Sequence, residues 1–310
     1  MKKDVSVIIA TYNTDYESLK YTVDSVMCQK GIDFELIITD DGSVINHFEK
    51  IEKYMQAHGF YSYVLLPHNK NQGTVLNFLD AVRIAKGRVI RTLGAGDAIY
   101  DDESLRSHVD FLRQSGKKWS FGEMIYFTKT AEEIQYIPHR SRPQLTKPYK
   151  NNRYTECVWN YCVIRDIATG TAILYERELF INYLELFAHE VLYTEDYSAV
   201  LMTYDGYVGA YYPKPVVLYE FSTGITAPGN SSGGRLVQND IENAMRIMVT
   251  RNTQKDKLHR QIDRIITKRL KRGKKKLDIF FEKGRLVYAI KFRLFPKMTC
   301  VPQYDNGVEK

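Results

Sequence analysis

The chain has 310 residues, of which 44% are hydrophobic, and its formal net charge is +7. The 23 Tyr and 14 Phe exclude a wholly disordered protein, and no stretch reaches the ~20 apolar residues of a membrane-spanning helix. Residues 251–297 hold 17 Lys and Arg against 4 Asp and Glu, whereas the rest of the chain holds 27 against 33. The sequence therefore predicts a mildly acidic body that is joined to a strongly basic C-terminal segment.

The N-terminus and the cysteines indicate a cytoplasmic protein that contains free thiols. The apolar run that follows Met1 is too short for a signal peptide. Four cysteines are too few for a disulfide framework in a chain of this length. Cys157 and Cys162 lack a second Cys or His pair at zinc spacing, so no zinc site is expected there.

The first hundred residues alternate apolar runs with helical periodicity. Strands are predicted at 5–10, 34–39, 61–66 and 88–93, and helices at 17–28, 46–58 and 73–86. Repeats of this size are typical of parallel βαβ units, which predicts an α/β fold with a mostly parallel, Rossmann-like sheet flanked by helices. Ligands bind at the carboxyl ends of the strands in such sheets, which selects the loops 11–15, 40–44 and 94–98.

The rest of the chain is less regular. A helix is predicted after Asp101, then an aromatic-rich region with a strand at 170–175, a helix at 179–186, a helix after Asp196 and a strand at 209–219. The small, polar, Gly-rich composition of residues 223–234 predicts a flexible loop. The pattern from residue 235 to 310 predicts a C-terminal basic helical extension.

Five segments resemble one known family when they are taken together and in order. They are 6–13 (SVIIATYN), 34–43 (FELIITDDGS), 69–73 (NKNQG), 93–97 (LGAGD) and 194–196 (TED). They are similar to segments of the inverting family 2 glycosyltransferases, and the likeness extends over residues 4–220. It is closest to bacterial enzymes that build surface polysaccharides. The resemblance implies a GT-A catalytic domain at 1–222, with a nucleotide-binding half at 1–100 and an acceptor half at 101–222.

The resemblance also implies a donor, which is a nucleoside-diphosphate sugar, with a UDP-sugar as the favoured one. The donor-binding residues that it implies are Ala10, Tyr12, Asn13, Asp41, Gly73 and Asn77. Tyr12 would pack against the base, and Asp41 would accept a hydrogen bond from the base or the ribose. Asn77 would touch the donor or brace the loop of Asp97. In the alternative interpretation, Tyr12 only packs and Asp41 only closes an Asp-Gly turn.

Asp97 is the expected ligand of a divalent metal, Mn²⁺ or Mg²⁺, because such hard cations prefer carboxylate oxygens. The commonest pattern of the family has further aspartates where Gly94 and Gly96 stand in this chain. A single carboxylate predicts weak metal binding before the donor arrives, and dependence on the diphosphate as a further ligand.

Asp196 is the expected general base, and Glu195 the expected supporting or acceptor-binding residue, by the same resemblance. Inversion at the anomeric carbon needs a carboxylate within hydrogen-bond reach of the acceptor hydroxyl. The alternative is a pair of acidic residues that only complements the dipole of the following helix. Two other functions stay open, a catalytically silent binding module and a sugar nucleotidyltransferase, although residues 11–15 lack the basic, Gly-rich loop of the latter.

The basic segment at 251–297 interleaves cations with Leu, Ile and Phe, which is typical of a helix that lies on an anionic membrane surface. We therefore expect a peripheral protein on the inner face of the cell membrane, with a glycan or lipid-linked glycan acceptor. A solvated or oligomer-forming face is the alternative. Nucleic acid is a disfavoured partner, because no nucleic-acid-binding motif accompanies the charge.

Overall fold

Strands and helices alternate through the residues that the computed structural model describes, which are 2–129, 133–138, 141–225, 230–251, 256–272 and 285–298. The described strands are β1 (Lys3–Thr11), β2 (Phe34–Asp40), β3 (Tyr63–Pro67), β4 (Gly87–Gly94), β5 (Ala98–Ile99), β6 (Trp119–Lys129), β7 (Ile134–Ile137), β8 (Ile173–Glu176) and β9 (Ala210–Glu220). The described α-helices are α1 (Tyr16–Met27), α2 (Phe48–Ala57), α3 (Thr74–Ile84), α4 (Ser104–Ser115), α5 (Lys147–Lys150), α6 (Tyr154–Trp159), α7 (Arg177–Phe187), α8 (Tyr197–Tyr204), α9 (Ser231–Arg251), α10 (Lys257–Arg272) and α11 (Arg285–Leu294).

The strands form one mixed sheet in the order β3-β2-β1-β4-β8-β6-β9-β5, with β7 paired to β6. Strands β3, β2, β1 and β4 are parallel, with Val7 opposite Leu36 on one side and Arg91 on the other. Strand β8 is antiparallel to both β4 and β6. The predicted α/β fold class is confirmed, and the predicted βαβ units occupy its parallel part.

Both faces of the parallel part are covered by helices, which explains why its strands are apolar at successive positions. Val7 and Ile9 on β1 pack with Val23 of α1 on one face. Ile8 packs with Phe78 of α3 on the opposite face. The parallel part of the sheet is therefore buried on both sides.

The aromatic-rich second half fills the core on the face of α3. Trp119 on β6 is fully buried, packs against Tyr161, and donates a hydrogen bond from Nε1 to the Tyr207 carbonyl oxygen at 2.6 Å. Tyr175 on β8 stacks on Phe180 of α7 with ring centroids 4.0 Å apart. The sequence patterns did not predict β6, although it pairs with both β8 and β9.

The C-terminal helices are part of this domain, which corrects two expectations. Helix α9 begins at Ser231, within the predicted loop 223–234, because the Asn230 side chain accepts a hydrogen bond from the Gly233 N–H at 2.9 Å. The remainder of that predicted loop is described only up to residue 225 and at 230. Met248 of α9 and Ile262 of α10 are fully buried in the larger core. The predicted separation of residues 235–310 from the catalytic domain is therefore wrong for α9 and α10.

Helix α11 lies over the loops of the second half. Its Tyr288 hydroxyl donates a hydrogen bond to Asp166 at 2.9 Å. Residues 273–284 of the predicted membrane-binding segment lie outside the described residues. No helix in the described ranges combines the length and the apolar character that a membrane span requires.

Candidate functional site

A cavity of about 590 Å³ opens at the carboxyl ends of β1 and β4, where the fold predicts a ligand. Five of the residues that the sequence singled out line it together: Ala10, Tyr12, Asp97, Glu195 and Asp196. Tyr12 exposes 52% of its surface there, which leaves its ring accessible. The other four predicted residues, Asn13, Asp41, Gly73 and Asn77, do not line this cavity.

Asp41 is buried beside the cavity and braces the loop that precedes α3. One carboxylate oxygen accepts a hydrogen bond from the Gln72 N–H at 2.8 Å, and the other accepts one from the Gly73 N–H at 2.9 Å. Burial raises the pKa of Asp41, against the lowering effect of these two bonds. The carboxylate is directed at backbone groups of its own chain, and contact with the base or ribose stays a prediction.

Gly73 connects this brace to the segment that carries the acidic pair. Its φ of +92° is strained for a side chain, and a Cβ would lie 2.8 Å from the Leu192 carbonyl oxygen. The same carbonyl oxygen accepts a hydrogen bond from the Val75 N–H at 2.9 Å. Glycine is therefore required because the start of α3 approaches the backbone at Leu192.

The two predicted asparagines also bond to neighbouring loops and strands. Asn13 has a positive φ of 50°, and its side-chain oxygen accepts a hydrogen bond from the Val44 N–H at 3.1 Å. Asn77 is buried, and its oxygen accepts a hydrogen bond from the Thr39 hydroxyl at 2.5 Å. Asn77 thus braces β2, whereas the sequence predicted contact with the donor or with the loop of Asp97.

Asp97 is a buried carboxylate in the cavity wall, with only 6% of its surface exposed. It accepts a hydrogen bond from the Glu220 N–H at 3.0 Å. Burial raises the pKa of Asp97 to about 7, and the nearby charge of Glu220 adds to the increase. A cation beside this carboxylate would favour its ionised form.

The carboxylates at this position have the chemistry that a divalent metal requires, but they provide few protein ligands. Carboxylate oxygen is the donor type that Mg²⁺ and Mn²⁺ prefer, and both Asp97 and Glu220 line the cavity. Among the described residues, no group of three or more His, Cys, Asp or Glu is arranged to hold a metal ion. Such a metal would therefore depend on oxygens of a bound ligand.

Asp196 stands at the N-terminus of α8, and its side chain makes no capping hydrogen bond to this helix. Burial raises the pKa values of both Glu195 and Asp196, and the charge of Asp196 raises that of Glu195 further. A Cβ on Gly170 would overlap the Glu195 carboxylate, so the pair is closely confined. Both carboxylates line the cavity, and the role of Asp196 as a proton acceptor stays a prediction.

Three residues of the site were missed by the sequence patterns. Asp240 of α9 accepts hydrogen bonds from the N–H groups of Leu192 at 3.1 Å and Tyr193 at 2.6 Å, and so fixes the segment before Glu195. Arg142 and Arg165 line the cavity near Asp196. None of the three lies in a segment with a recognisable motif, and only the tertiary structure brings them to the site.

The fold is an α/β architecture with a cavity at the carboxyl ends of its strands, and the comparisons with known proteins identify the family. Residues 6–184 match the family described as Glycosyl transferase family 2, so the chain belongs to this family. Two curated relatives are from Mycoplasma pneumoniae. The uncharacterized glycosyltransferase MG060 homolog is 31% identical over 96 residues, which are 31% of this chain and 32% of the relative. The MG025 homolog is 35% identical over 95 residues, which are 30% of this chain and 31% of the relative. The chain thus matches about a third of the length of these relatives.

Solved structures support the fold at low sequence identity. Residues 1–349 of S. aureus TarS in complex with UDP align with a TM-score of 0.56 at 16% identity, covering 95% of this chain and 75% of that one. The mannosyltransferase PcManGT from Pyrobaculum calidifontis, in complex with GDP-Man and Mn²⁺, aligns with a TM-score of 0.58 at 14% identity. That alignment covers 86% of this chain and 69% of that one. The predicted GT-A architecture is therefore confirmed.

Proposed function

We propose that the protein transfers a sugar from a nucleoside-diphosphate sugar to an acceptor hydroxyl, with inversion at the anomeric carbon. The observation that carries this proposal is that Asp196, whose side chain makes no capping hydrogen bond, lines the same cavity as Asp97 at the end of β4. Asp196 accepts the proton of the acceptor hydroxyl as that oxygen bonds to the anomeric carbon. The bond from this carbon to the diphosphate breaks, and its electron pair leaves with the diphosphate.

Asp97 would hold the divalent metal, Mn²⁺ or Mg²⁺, together with oxygens of the donor. When bound, the metal neutralises the negative charge that develops on the leaving diphosphate. Glu195, whose pKa is raised by burial and by the charge of Asp196, holds its proton at a higher pH than an ordinary glutamate. It would donate a hydrogen bond to the substrate while Asp196 accepts one.

A UDP-sugar is the proposed donor. Tyr12 offers an accessible aromatic ring at the end of β1 for the nucleobase. One structural relative is described with UDP and with UDP-GlcNAc, and another with GDP-Man and Mn²⁺. Ala10 lines the cavity next to Tyr12, whereas Asn13, Asp41, Gly73 and Asn77 support the donor through the loops that they brace.

The proposed setting is the assembly of bacterial surface polysaccharide on the cytoplasmic face of the membrane, with a glycan or lipid-linked glycan as acceptor. Helix α11 supports surface attachment, because Leu294 and Phe295 expose 63% and 82% of their surface beside Lys291 and Arg293. The apolar side of α10 is buried in the core and is not available to lipid. Substitution of Leu294 and Phe295 by Ser should reduce sedimentation with anionic vesicles; unchanged sedimentation would remove α11 as the anchor.

Thermal-shift measurements with a panel of nucleotide sugars, with and without Mn²⁺, test the donor proposal. One donor class should raise the melting temperature, and Mn²⁺ should increase this effect in the wild type but not in Asp97→Asn. A protein that binds a donor but neither transfers nor hydrolyses it would be a silent binding module. Pyrophosphate release from a nucleoside triphosphate and a sugar phosphate would instead identify a nucleotidyltransferase.

A further inference from the structure

Two arginines form part of the cavity wall on the side of the acidic pair. Arg142 and Arg165 line the cavity with Glu195 and Asp196. Arg142 is exposed, and within the described residues its guanidinium makes no hydrogen bond or ion pair. Arg165 is half-buried in a left-handed conformation with φ of 62°, and its guanidinium lies beside the Tyr197 hydroxyl. The cavity therefore holds two cations that the catalytic proposal does not use.

The charge of Arg142 acts on the acceptor side of the cavity. It lowers the pKa of Asp196, against the dominant effect of burial, and it also acts on Asp166. The arginine therefore lies on the side of the cavity that holds the proposed base.

The loops that carry both arginines are held by one network of hydrogen bonds. Asp166, next to Arg165, accepts hydrogen bonds from the Gln144 N–H at 2.9 Å and the Leu145 N–H at 2.8 Å. Tyr288 of α11 donates to the same carboxylate. Arg142 is therefore joined through its own loop to the segment that carries Arg165.

The C-terminal residues add a second attachment to this network. The Lys297 carbonyl oxygen accepts hydrogen bonds from the Ser141 N–H at 2.9 Å and from Gln144 Nε2 at 2.8 Å. The Lys297 N–H donates to Gln144 Oε1 at 2.6 Å. The backbone on both sides of Arg142 is thus fixed while its cationic head remains open to the cavity, which is an arrangement suited to binding an anion.

We propose that Arg142 and Arg165 form a subsite for a phosphate group of the acceptor, close to the hydroxyl that is glycosylated. The planar fork of each guanidinium matches phosphate oxygens, and two such groups balance the roughly −1.5 to −2 charge of a phosphate monoester. The proposal rests on the proposed function and narrows its acceptor to phosphorylated molecules. The phosphate belongs either to a soluble sugar or polyol phosphate or to a lipid-linked phosphate.

The test measures phosphate binding while the donor site is filled. Glycerol 1-phosphate is titrated by calorimetry into the full-length protein that is saturated with UDP and Mn²⁺, and UDP affinity is measured separately. We expect Arg142→Gln and Arg165→Gln each to weaken glycerol 1-phosphate binding by about tenfold, with UDP affinity changed less than about twofold. Arg153→Gln is the matched control, since this exposed arginine pairs with Glu156 and does not line the cavity. Its affinities should equal those of the wild type.

A second arm identifies the source of the phosphate. Polyprenyl phosphate in neutral phosphatidylcholine vesicles replaces glycerol 1-phosphate in a co-sedimentation assay with the same variants. Arginine-dependent binding in only one arm supports the subsite and assigns its ligand to the soluble or the lipid-linked class; such binding in both supports the shared phosphate chemistry.

Three results would overturn the subsite. The first is a wild-type protein that binds neither phosphate compound, and the second is phosphate binding that persists in the double variant. The third is a UDP affinity that falls in the variants as much as the phosphate affinity does, which would place the arginines on the donor diphosphate. The melting temperatures of the variants, measured alongside, distinguish these results from unfolding. A wild type that binds no nucleotide or nucleotide sugar would instead contradict the proposed function, and phosphate titrated without UDP would then test the subsite by itself.

Discussion

The two sides of the molecule that meet at the cavity use their polar residues in different ways. On the side of β1 and β2, Asp41 accepts hydrogen bonds from two backbone N–H groups. Asn77 accepts one from the Thr39 hydroxyl. On the side of α8, the Asp196 side chain makes no capping hydrogen bond, and Arg142 makes no hydrogen bond or ion pair in the described part of the chain. The residues on the β1 and β2 side thus brace neighbouring loops, whereas the proposed chemistry depends on the charged side chains of the α8 side.

Three hydrogen bonds and the short backbone segments between them join the two sides. Asp41 accepts from Gly73, Leu192 accepts from Val75 at the start of α3, and Asp240 accepts from Leu192. Each partner is a backbone group or a buried carboxylate, so loss of one bond leaves a buried group unpaired. The donor loop and the acidic pair are thus positioned by the same support.

The largest effect is expected for Asp196→Asn, which tests whether the acceptor half carries the reaction. The amide cannot accept the proton, so transfer should fall by roughly 10²–10⁴-fold while donor affinity is retained. Radiolabelled sugar transfer and UDP titration measure the two quantities. Asp110→Asn, on the half-exposed side of α4, is the control and should leave both unchanged. Transfer that survives Asp196→Asn would show that another group is the base.

The pH dependence of transfer should be the next largest effect. Asp196 must be ionised to act as base, and burial raises its pKa, so the rate should fall by up to about tenfold per unit as pH decreases through that raised pKa. Arg142 favours the ionised form, so Arg142→Gln should move this acidic limb to higher pH. The measurement is the pH profile of kcat/KM for both proteins; a limb that stays in place or moves to lower pH would contradict this electrostatic role.

Asp41→Ala should reduce stability as well as donor binding, which tests the structural role of the donor half. The buried Gly73 N–H would lose its partner, at a cost of about 1–3 kcal/mol in the free energy of unfolding, and the part-buried Gln72 N–H would add less. Urea unfolding and UDP titration measure the two effects. Asp33→Ala removes an exposed ion pair with Lys3 and should cost no more than about 1 kcal/mol. Weaker UDP binding at unchanged stability would restore the predicted contact with the nucleotide.

The parallel part of the sheet was predictable from sequence because its signals are local. Successive β-branched residues in β1 and helical spacing in α1 and α3 each identify an element without reference to the rest of the chain. The loops at the strand ends followed from the fold, and placed Tyr12 and Asp97 at the cavity. The prediction of which loop residues face the cavity was less accurate, because an aspartate can bond either to a ligand or to a nearby turn.

The supports of the acceptor half were not predictable, because they are contacts between residues distant in sequence. Asp240 meets Leu192 across 48 residues, and Lys297 meets Gln144 across 153. The basic composition of the C-terminal segment predicted surface attachment, but composition does not show that Ile262 of α10 packs into the core. Arg142 and Arg165 had no motif, so only the folded chain brings them to Asp196.

The smallest expected effect is for Tyr288→Phe, which tests whether α11 supports the acceptor half alone. Loss of the hydrogen bond to Asp166 should cost about 1 kcal/mol and loosen the loops of Arg142 and Arg165. Hydrogen exchange should increase at residues 144 and 145, whose N–H groups bond to Asp166, and remain unchanged in β1. Tyr61→Phe, at an exposed tyrosine, is the matched control and should change neither region. Exchange that rose equally at residues 144 and 145 and in β1, or a donor affinity that fell as well, would contradict this. Helix α11 would then stabilise the whole domain and not the acceptor half alone.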